Sequence, residues 1–425
     1  MAIAAQFTFI PRASVGEEWT DNFLLSETDL VSENITTAGG GFTAGLFGEK
    51  YGLDVSYDGA YASYANFSER NNWRHSALLN FSANLSKHTR FNLNNRFVQT
   101  ENPAPLDRSD VTTVPPGSVE DPTIRRSRQR YWRNTFNARV DQQFGRNNSL
   151  YFSYQNYLLI NEDPSFQDSI RSSPAAGITF NLTNRWGISA NVSFNRSEFE
   201  IDPDLDRYTA DAGVFYRFSN ALNVFARVLH EVADFEEQGV AIDPGVGAQA
   251  FVDYTVINPT AGFTYVISDK IDANFEVGYF IRDFERGQPD EPDLSLNARL
   301  NKRFKRGSIR AIALSGYNEG FNTAQNLGFN RFWEAALSGS YQLSRYVNGT
   351  LYSSYRNTEY LNVLPDRTDR QSRVGGGLDW SPLRWLSLQF NYTFRNVDST
   401  IETNKYTENR LFFSIRLSPV RPYQT

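Results

Sequence analysis

Short polar turns recur along this chain, most of them at intervals of about 37 to 39 residues, each leading into roughly ten residues that alternate apolar with polar. The turns read Gly48-Glu49-Lys50, Ser86-Lys87-His88, Gly145-Arg146-Asn147-Asn148, Thr183-Asn184, Ser219-Asn220, Ser268-Asp269-Lys270, Arg306-Gly307, Ser344-Arg345 and Ser381-Pro382. A repeat of that kind is the mark of antiparallel hairpins joined edge to edge into one cylinder.

The alternation fixes the element type. After Arg185, Trp186, Ile188, Ala190, Val192 and Phe194 share one face, with Ser189, Asn191, Ser193 and Asn195 on the other. After Lys270, Ile271, Ala273, Phe275, Val277, Tyr279 and Ile281 oppose Asp272, Asn274, Glu276 and Arg282. Period two means strand. The apolar faces have the roughly 9 to 11 residues that a tilted strand needs to cross a bilayer. A mean hydropathy of -0.50 excludes a helical membrane protein, since such a chain needs runs of about 20 apolar residues. The 15% aromatic content suits two interfacial girdles.

The expected fold is therefore an all-β, transmembrane, antiparallel up-and-down barrel in the outer membrane of a Gram-negative bacterium. Nine tight turns join strands in pairs, and one further strand at each end brings the total to about twenty, within roughly 18 to 22. An even count puts both termini and the short turns in the periplasm, with longer loops outside. Residues 6–418 form the single barrel domain, 1–5 read as a signal-peptide remnant or an arbitrary start, and 419–425 as a short periplasmic tail. Between Ile309 and Ser315 the pattern does not separate inside from outside.

Some stretches resemble a known family. Glu18-Trp19-Thr20-Asp21-Asn22-Phe23, Glu27-Thr28-Asp29-Leu30-Val31, Leu53-Asp54-Val55-Ser56-Tyr57 and Asn72-Trp73-Arg74-His75 are similar to the beta-barrel porin 2 group. That group includes outer-membrane proteins associated with exopolysaccharide and PEP-CTERM sorting systems, and the resemblance covers about the first hundred residues. It implies a porin-like or exopolysaccharide-linked role. The chain departs from the usual terminal aromatic of barrels by running on to Tyr423-Gln424-Thr425, so Leu411, Phe413, Ile415 and Leu417 are the candidate assembly signal.

A barrel of this size encloses a wide lumen. One candidate for narrowing it is the proline-rich loop containing Pro103, Asp107, Arg108, Asp110, Glu120, Asp121 and Arg125; the alternative is that this loop extends into solvent. The inward polar phase carries Arg90, Arg96, Arg133, Arg139, Arg217, Arg227, Arg282, Arg299, Arg303, Arg356, Arg395, Arg410 and Arg416. Fewer acids share it: Asp54, Asp141, Asp211, Asp272, Glu276, Glu334 and Asp379. Arginine stays charged at accessible pH, so this wall either favours anions or forms cross-strand ladders that stiffen it. Tyr64, Tyr131, Tyr151, Phe225, Tyr352 and Trp385 are read as inward aromatics, and Trp73, Trp132, Trp186, Trp333 and Trp380 as outward anchors. Asn134 and Gln142 are polar spots on the lipid face, read either as a subunit contact or as the result of a one-residue bulge.

With three histidines and no cysteine, no nucleophile or metal-ligand spacing emerges, so no enzyme, cofactor or metal is expected. Three function classes remain. The chain is a diffusion channel for hydrophilic, preferentially anionic solutes, or an exopolysaccharide export conduit working with periplasmic partners, or a structural barrel that sheathes or anchors another protein. Expected partners are outer-membrane lipid and lipopolysaccharide, the barrel-assembly machinery, and a periplasmic or lumen-bound protein under the last two readings; nucleic acid is not one.

Overall fold

The computed structural model describes residues 6–102, 128–145, 147–236, 239–243, 247–284, 291–319, 328–361, 363–364 and 366–424. The proposed constriction residues Pro103, Asp107, Arg108, Asp110, Glu120, Asp121 and Arg125, and the presumed leader remnant, lie outside them. The first strands are β1 (Gln6–Thr20), β2 (Glu33–Phe47), β3 (Tyr51–Tyr64), β4 (Asn72–Asn84), β5 (Thr89–Thr100) and β6 (Tyr131–Phe144). Then come β7 (Asn148–Asn161), β8 (Ser169–Asn181), β9 (Trp186–Phe199), β10 (Leu205–Arg217), β11 (Leu222–Phe235), β12 (Gly239–Asp243) and β13 (Gly247–Phe251). The series continues through β14 (Tyr254–Ser268), β15 (Ile271–Phe284), β16 (Asp293–Phe304), β17 (Gly307–Glu319), β18 (Phe329–Ser344) and β19 (Val347–Tyr360). The last are β20 (Val363–Leu364), β21 (Arg367–Leu383), β22 (Leu386–Ser399), β23 (Tyr406–Leu417) and β24 (Tyr423–Gln424).

Twenty long strands pair with their sequence neighbours, and β1 pairs antiparallel with β23 to close the cylinder. The strand count and the segregation of tight turns to one end and longer connections to the other follow the reading from the repeat, with one turn displaced: Ser381 and Pro382 lie inside β21, and the corner falls at Arg384-Trp385. Two features escaped it. β12, β13 and β20 make a small separate sheet among the long loops. The terminal β24 pairs Tyr423 and Gln424 with Phe9 and Thr8 of β1.

The turns stay short because a side-chain hydroxyl replaces backbone hydrogen bonds at the corner. Ser219 Oγ accepts from the amides of Ala221 and Leu222 at 3.1 Å, and Thr183 Oγ1 accepts from Arg185 and Trp186 at 3.1 and 2.9 Å. Ser344 does the same for Tyr346 and Val347.

Burial separates the two faces. On β11 the buried positions are Glu231, Ala233 and Phe235, on β19 Arg356, Thr358 and Tyr360, and on β22 Thr393, Arg395, Val397 and Ser399. All lie on one phase and toward the loop end. The other phase exposes Phe152, Val192, Val214, Leu337 and Leu351, with Trp73 and Trp333 toward the loops and Trp186 and Trp380 toward the turns. An exposed apolar belt between two aromatic rings is what lipid requires.

Two glycines on the inward phase let side chains from alternate strands meet. Tyr151 Oη on β7 donates to Asn191 Oδ1 on β9 at 3.1 Å, passing over Gly177 of β8, where a Cβ would collide with both. Gly375 plays the same part beneath the 2.7 Å Tyr352–Thr393 hydroxyl contact. Gly177→Val is expected to destabilise the barrel by about 1–3 kcal/mol through overpacking. A urea-unfolding midpoint equal to that of the parent would contradict this account.

Candidate functional site

The loop end of the lumen is filled by side chains, and the connection between β1 and β2 reaches into it. Phe23 is fully buried against the inward-phase residues Ile35, Ala62 and Tyr64 of β2 and β3. Leu25 is buried against Val397 and Tyr406 of β22 and β23. The 21–32 connection thus touches walls on both sides of the seam between β23 and β1. Leu25 holds φ +52, a conformation that costs an L-residue energy and persists only where surrounding contacts impose it. Asn22 imposes it: its Nδ2 donates to the carbonyls of Ser26 and Thr407 at 2.6 and 2.8 Å, and its Oδ1 accepts from the Ser26 amide at 3.0 Å. On another arc of the mouth, Leu205, Phe235, Phe251, Tyr254, Val256, Phe280 and Phe329 form an apolar cluster.

Buried charge lies beside the apolar packing. Arg410 Nη2 donates to Glu18 Oε1 at 2.6 Å, and both residues are nearly inaccessible to solvent. Arg128, just before β6, donates from Nε to the Phe23 carbonyl at 2.8 Å and from Nη2 to Glu408 at 3.2 Å, with its guanidinium 4.6 Å from the Phe23 ring centre. At the other end of the same long connection, Glu101 accepts from Arg74 Nε at 2.8 Å and from the Tyr64 hydroxyl. Residues 101 and 128, which flank the undescribed 103–127, are therefore both anchored inside the mouth.

Burial pushes the Glu101 carboxyl up, but the Arg74 charge and the hydrogen bonds from Arg74 and Tyr64 pull harder and hold it below the usual carboxylate range. Burial and the nearby Arg410 charge lower Arg128, against the opposing pull of Glu408 and Glu18. A depressed carboxylate contributes stability that is present above its unfolded value of about 4.3 and lost as pH falls through its folded value. Acidification below about pH 4 should therefore lower the melting temperature of the parent more than that of Glu101→Gln. Parallel pH profiles for the two would refute the tether.

The ladder puts every charged residue of the expected inward set on the phase whose loop-end members are buried, in two populations. Toward the loops, Arg282 packs over the Phe329 ring at 4.2 Å, Arg356 lies 3.4 Å from Glu334, and Arg395 lies 3.4 Å from the Tyr406 hydroxyl. Toward the turns the arginines are wetter, although Glu276 is itself buried. Arg139 lies 2.8 Å from Asp141 with its guanidinium 3.9 Å from the Tyr151 ring centre, and Arg227 pairs with Glu276 at 2.6 Å. Arg303 reaches Asp272 at 3.6 Å, Asp211 accepts from Asn191, and Arg299 donates to Asn297. In the cross-strand register Arg90 faces Asp141, Arg96 faces Thr135, Arg133 faces Val98, Asp54 faces Asn80, Asp379 faces Gln389 and Arg416 faces Ser387. Arg217 lies over the Phe215 ring.

The register also places Arg310, Ile312 and Leu314 inward, settling the ambiguous stretch. Trp385 sits in the turn between β21 and β22, 46% exposed and outside the alternation that assigns the other aromatics to the inward phase. Asn134 and Gln142 lie on the outward phase of β6, and both of its ladders run without a register shift, so the bulge reading falls. Outside the wall, Asp204, Asp206 and Glu236 surround Arg196 at 3.0 to 3.2 Å. Sequence reading passed over Glu18, Arg74, Glu101, Arg128, Arg373 and Glu408. Arg373 could have been found, because it continues the alternation of Asp379; Glu101 and Arg128 lie beyond strand ends, where no alternation exists.

No family model and no curated protein matches the sequence. Among solved structures, the FrpB iron transporter from Neisseria meningitidis has a TM-score of 0.52 at 9% identity, covering 98% of this chain and 83% of that one. The ferric-catecholate import receptor Fiu from E. coli K12 has 0.50 at 12%, covering 97% and 81%. The outer membrane protein OpdK from Pseudomonas aeruginosa has 0.42 at 11%, covering 99% and 100%. The likeness is one of fold, and with the closed wall and its apolar belt it makes this chain an outer-membrane β-barrel.

Proposed function

We propose that the protein is a porin-like channel for small hydrophilic solutes, with a preference for anions. The observation that carries this reading is the contrast along the lumen: a wet, arginine-bearing wall at the turn end leads to a side-chain-packed mouth at the loop end. A wall of fixed positive charge raises the local concentration of anions and repels cations. Packing at the mouth sets the size limit. The likeness of the first hundred residues to exopolysaccharide-associated porins supports a second reading, an export conduit. That reading requires the mouth to open for a polymer, whereas small solutes need only local gaps.

Single-channel recording in planar bilayers across a salt gradient tests the proposal. A reversal potential favouring chloride over potassium is expected, and the double variant Arg139→Gln, Arg299→Gln should bring the permeability ratio toward one. A barrel that stays silent at every voltage would sink the porin reading.

A further inference from the structure

We infer that the lumen wall where β19, β21 and β22 adjoin holds a binding site for a small carboxylate. Arg356 faces Gln371 across β19 and β21, and Arg373 faces Arg395 across β21 and β22. These four side chains form one patch on the inward phase. Each has a buried nitrogen that meets no hydrogen-bond acceptor: Arg356 Nη2, Gln371 Nε2, Arg373 Nε and Arg395 Nε. Arg356 and Arg395 are only 5% and 2% exposed. A buried donor left unsatisfied costs about 1–3 kcal/mol, and more when it is charged.

The local carboxylates do not cover the deficit. Glu334 serves Arg356 at 3.4 Å. Glu408 is shared among Arg128, Arg395 and Arg410 at 3.2 to 3.9 Å. Arg373 has no carboxylate partner among the described residues; it meets Tyr352, through the hydroxyl and with the ring centre 5.1 Å away. Guanidinium and amide donors on neighbouring strands of one face, with excess positive charge and little exposure, suit an acceptor-only ligand with two oxygens. Arg373, less buried than Arg356 and Arg395, is the edge by which a solute in the lumen would enter. This inference rests on the lumen being reached by solutes, as the channel reading holds, and it adds a place where the solute pauses.

The test is thermal unfolding of the full chain in detergent with succinate, and with its uncharged analogue succinamide at equal concentration. Succinate should raise the melting temperature saturably by several degrees, succinamide should not, and sodium chloride at matched ionic strength should not. Arg373→Gln should abolish the succinate shift. Gln371→Glu, which installs a resident carboxylate, should abolish it too while raising the melting temperature without ligand. A shift of equal size in Arg373→Gln, or one reproduced by chloride or succinamide, would overturn the site, as would no shift in the parent. Because the readout is binding, a conducting barrel that ignores succinate defeats the site alone. A silent barrel that binds succinate defeats the channel alone.

Discussion

Replacing Arg410 with leucine is expected to lower the unfolding free energy of the barrel by about 3–5 kcal/mol, because it strands Glu18 as a buried charge without its partner. Glu18 is 2% exposed and its Oε1 lies 2.6 Å from Arg410. The measurement is the urea midpoint in detergent or lipid. The double variant Glu18→Leu, Arg410→Leu should recover much of the loss, since an apolar pair of similar volume commonly matches a buried ion pair in stability. If the loss in the double variant equals the sum of the losses in the two single variants, the pair is not coupled and the account fails.

If leucine can stand in for the pair, stability is not what the pair adds. Glu18 and Arg410 belong to the strands that close the cylinder, where chain ends must find each other without a connecting turn. Polar contacts are dense at this seam. Thr20 donates to Glu408, both oxygens of Asp21 take Asn409, and Asn22 holds the Thr407 carbonyl. A shift by one residue would set these groups against apolar partners and turn the lipid face inward. The seam register is therefore specified by polar matching, where the hairpins joined at the other end of the barrel have tight turns to set theirs.

The barrel itself was legible because lipid and lumen impose a strict period of two, and because hydroxyl-capped corners such as Ser219 and Thr183 punctuate it. Facing of charged residues was legible for the same reason: Arg139, Arg299 and Asp272 lie within clean alternation. Their use was not. Whether an inward arginine is solvated, as toward the turns, or locked in a dry network, as Arg395 is, depends on what crosses the lumen from other parts of the chain. Those crossings come from loops, where alternation ends. Length and proline content point instead to the loop containing Pro103 and Arg125 as a constriction. Among the described residues the β1–β2 connection packs into the mouth, and its signal was compositional: Phe23, Leu24 and Leu25 are three apolar residues in an outward loop that water alone would not favour.

Substituting Phe23-Leu24-Leu25 with Gly-Ser-Gly should therefore enlarge the conducting path, raising single-channel conductance several-fold over the parent. Phe23 stacks on Phe67 with ring centres 4.7 Å apart and receives Arg128 on its carbonyl. Its loss removes the apolar anchor on the β2–β3 side, and loss of Leu25 removes the one on the β22–β23 side. Each anchor buries a large side chain worth about 1.5–3 kcal/mol, so the loop without either keeps only polar holds such as Asn22 on the Thr407 carbonyl. Arg128 then keeps Glu408 but loses the ring beneath it, so the inner anchor of the 101–128 connection weakens as well. The strands do not depend on this loop for their pairing, and the barrel should stay folded, visible as unchanged heat-modifiable migration. Unaltered conductance in a folded variant would mean that the β1–β2 loop decorates the mouth without limiting flow, and that the resistance lies elsewhere along the lumen.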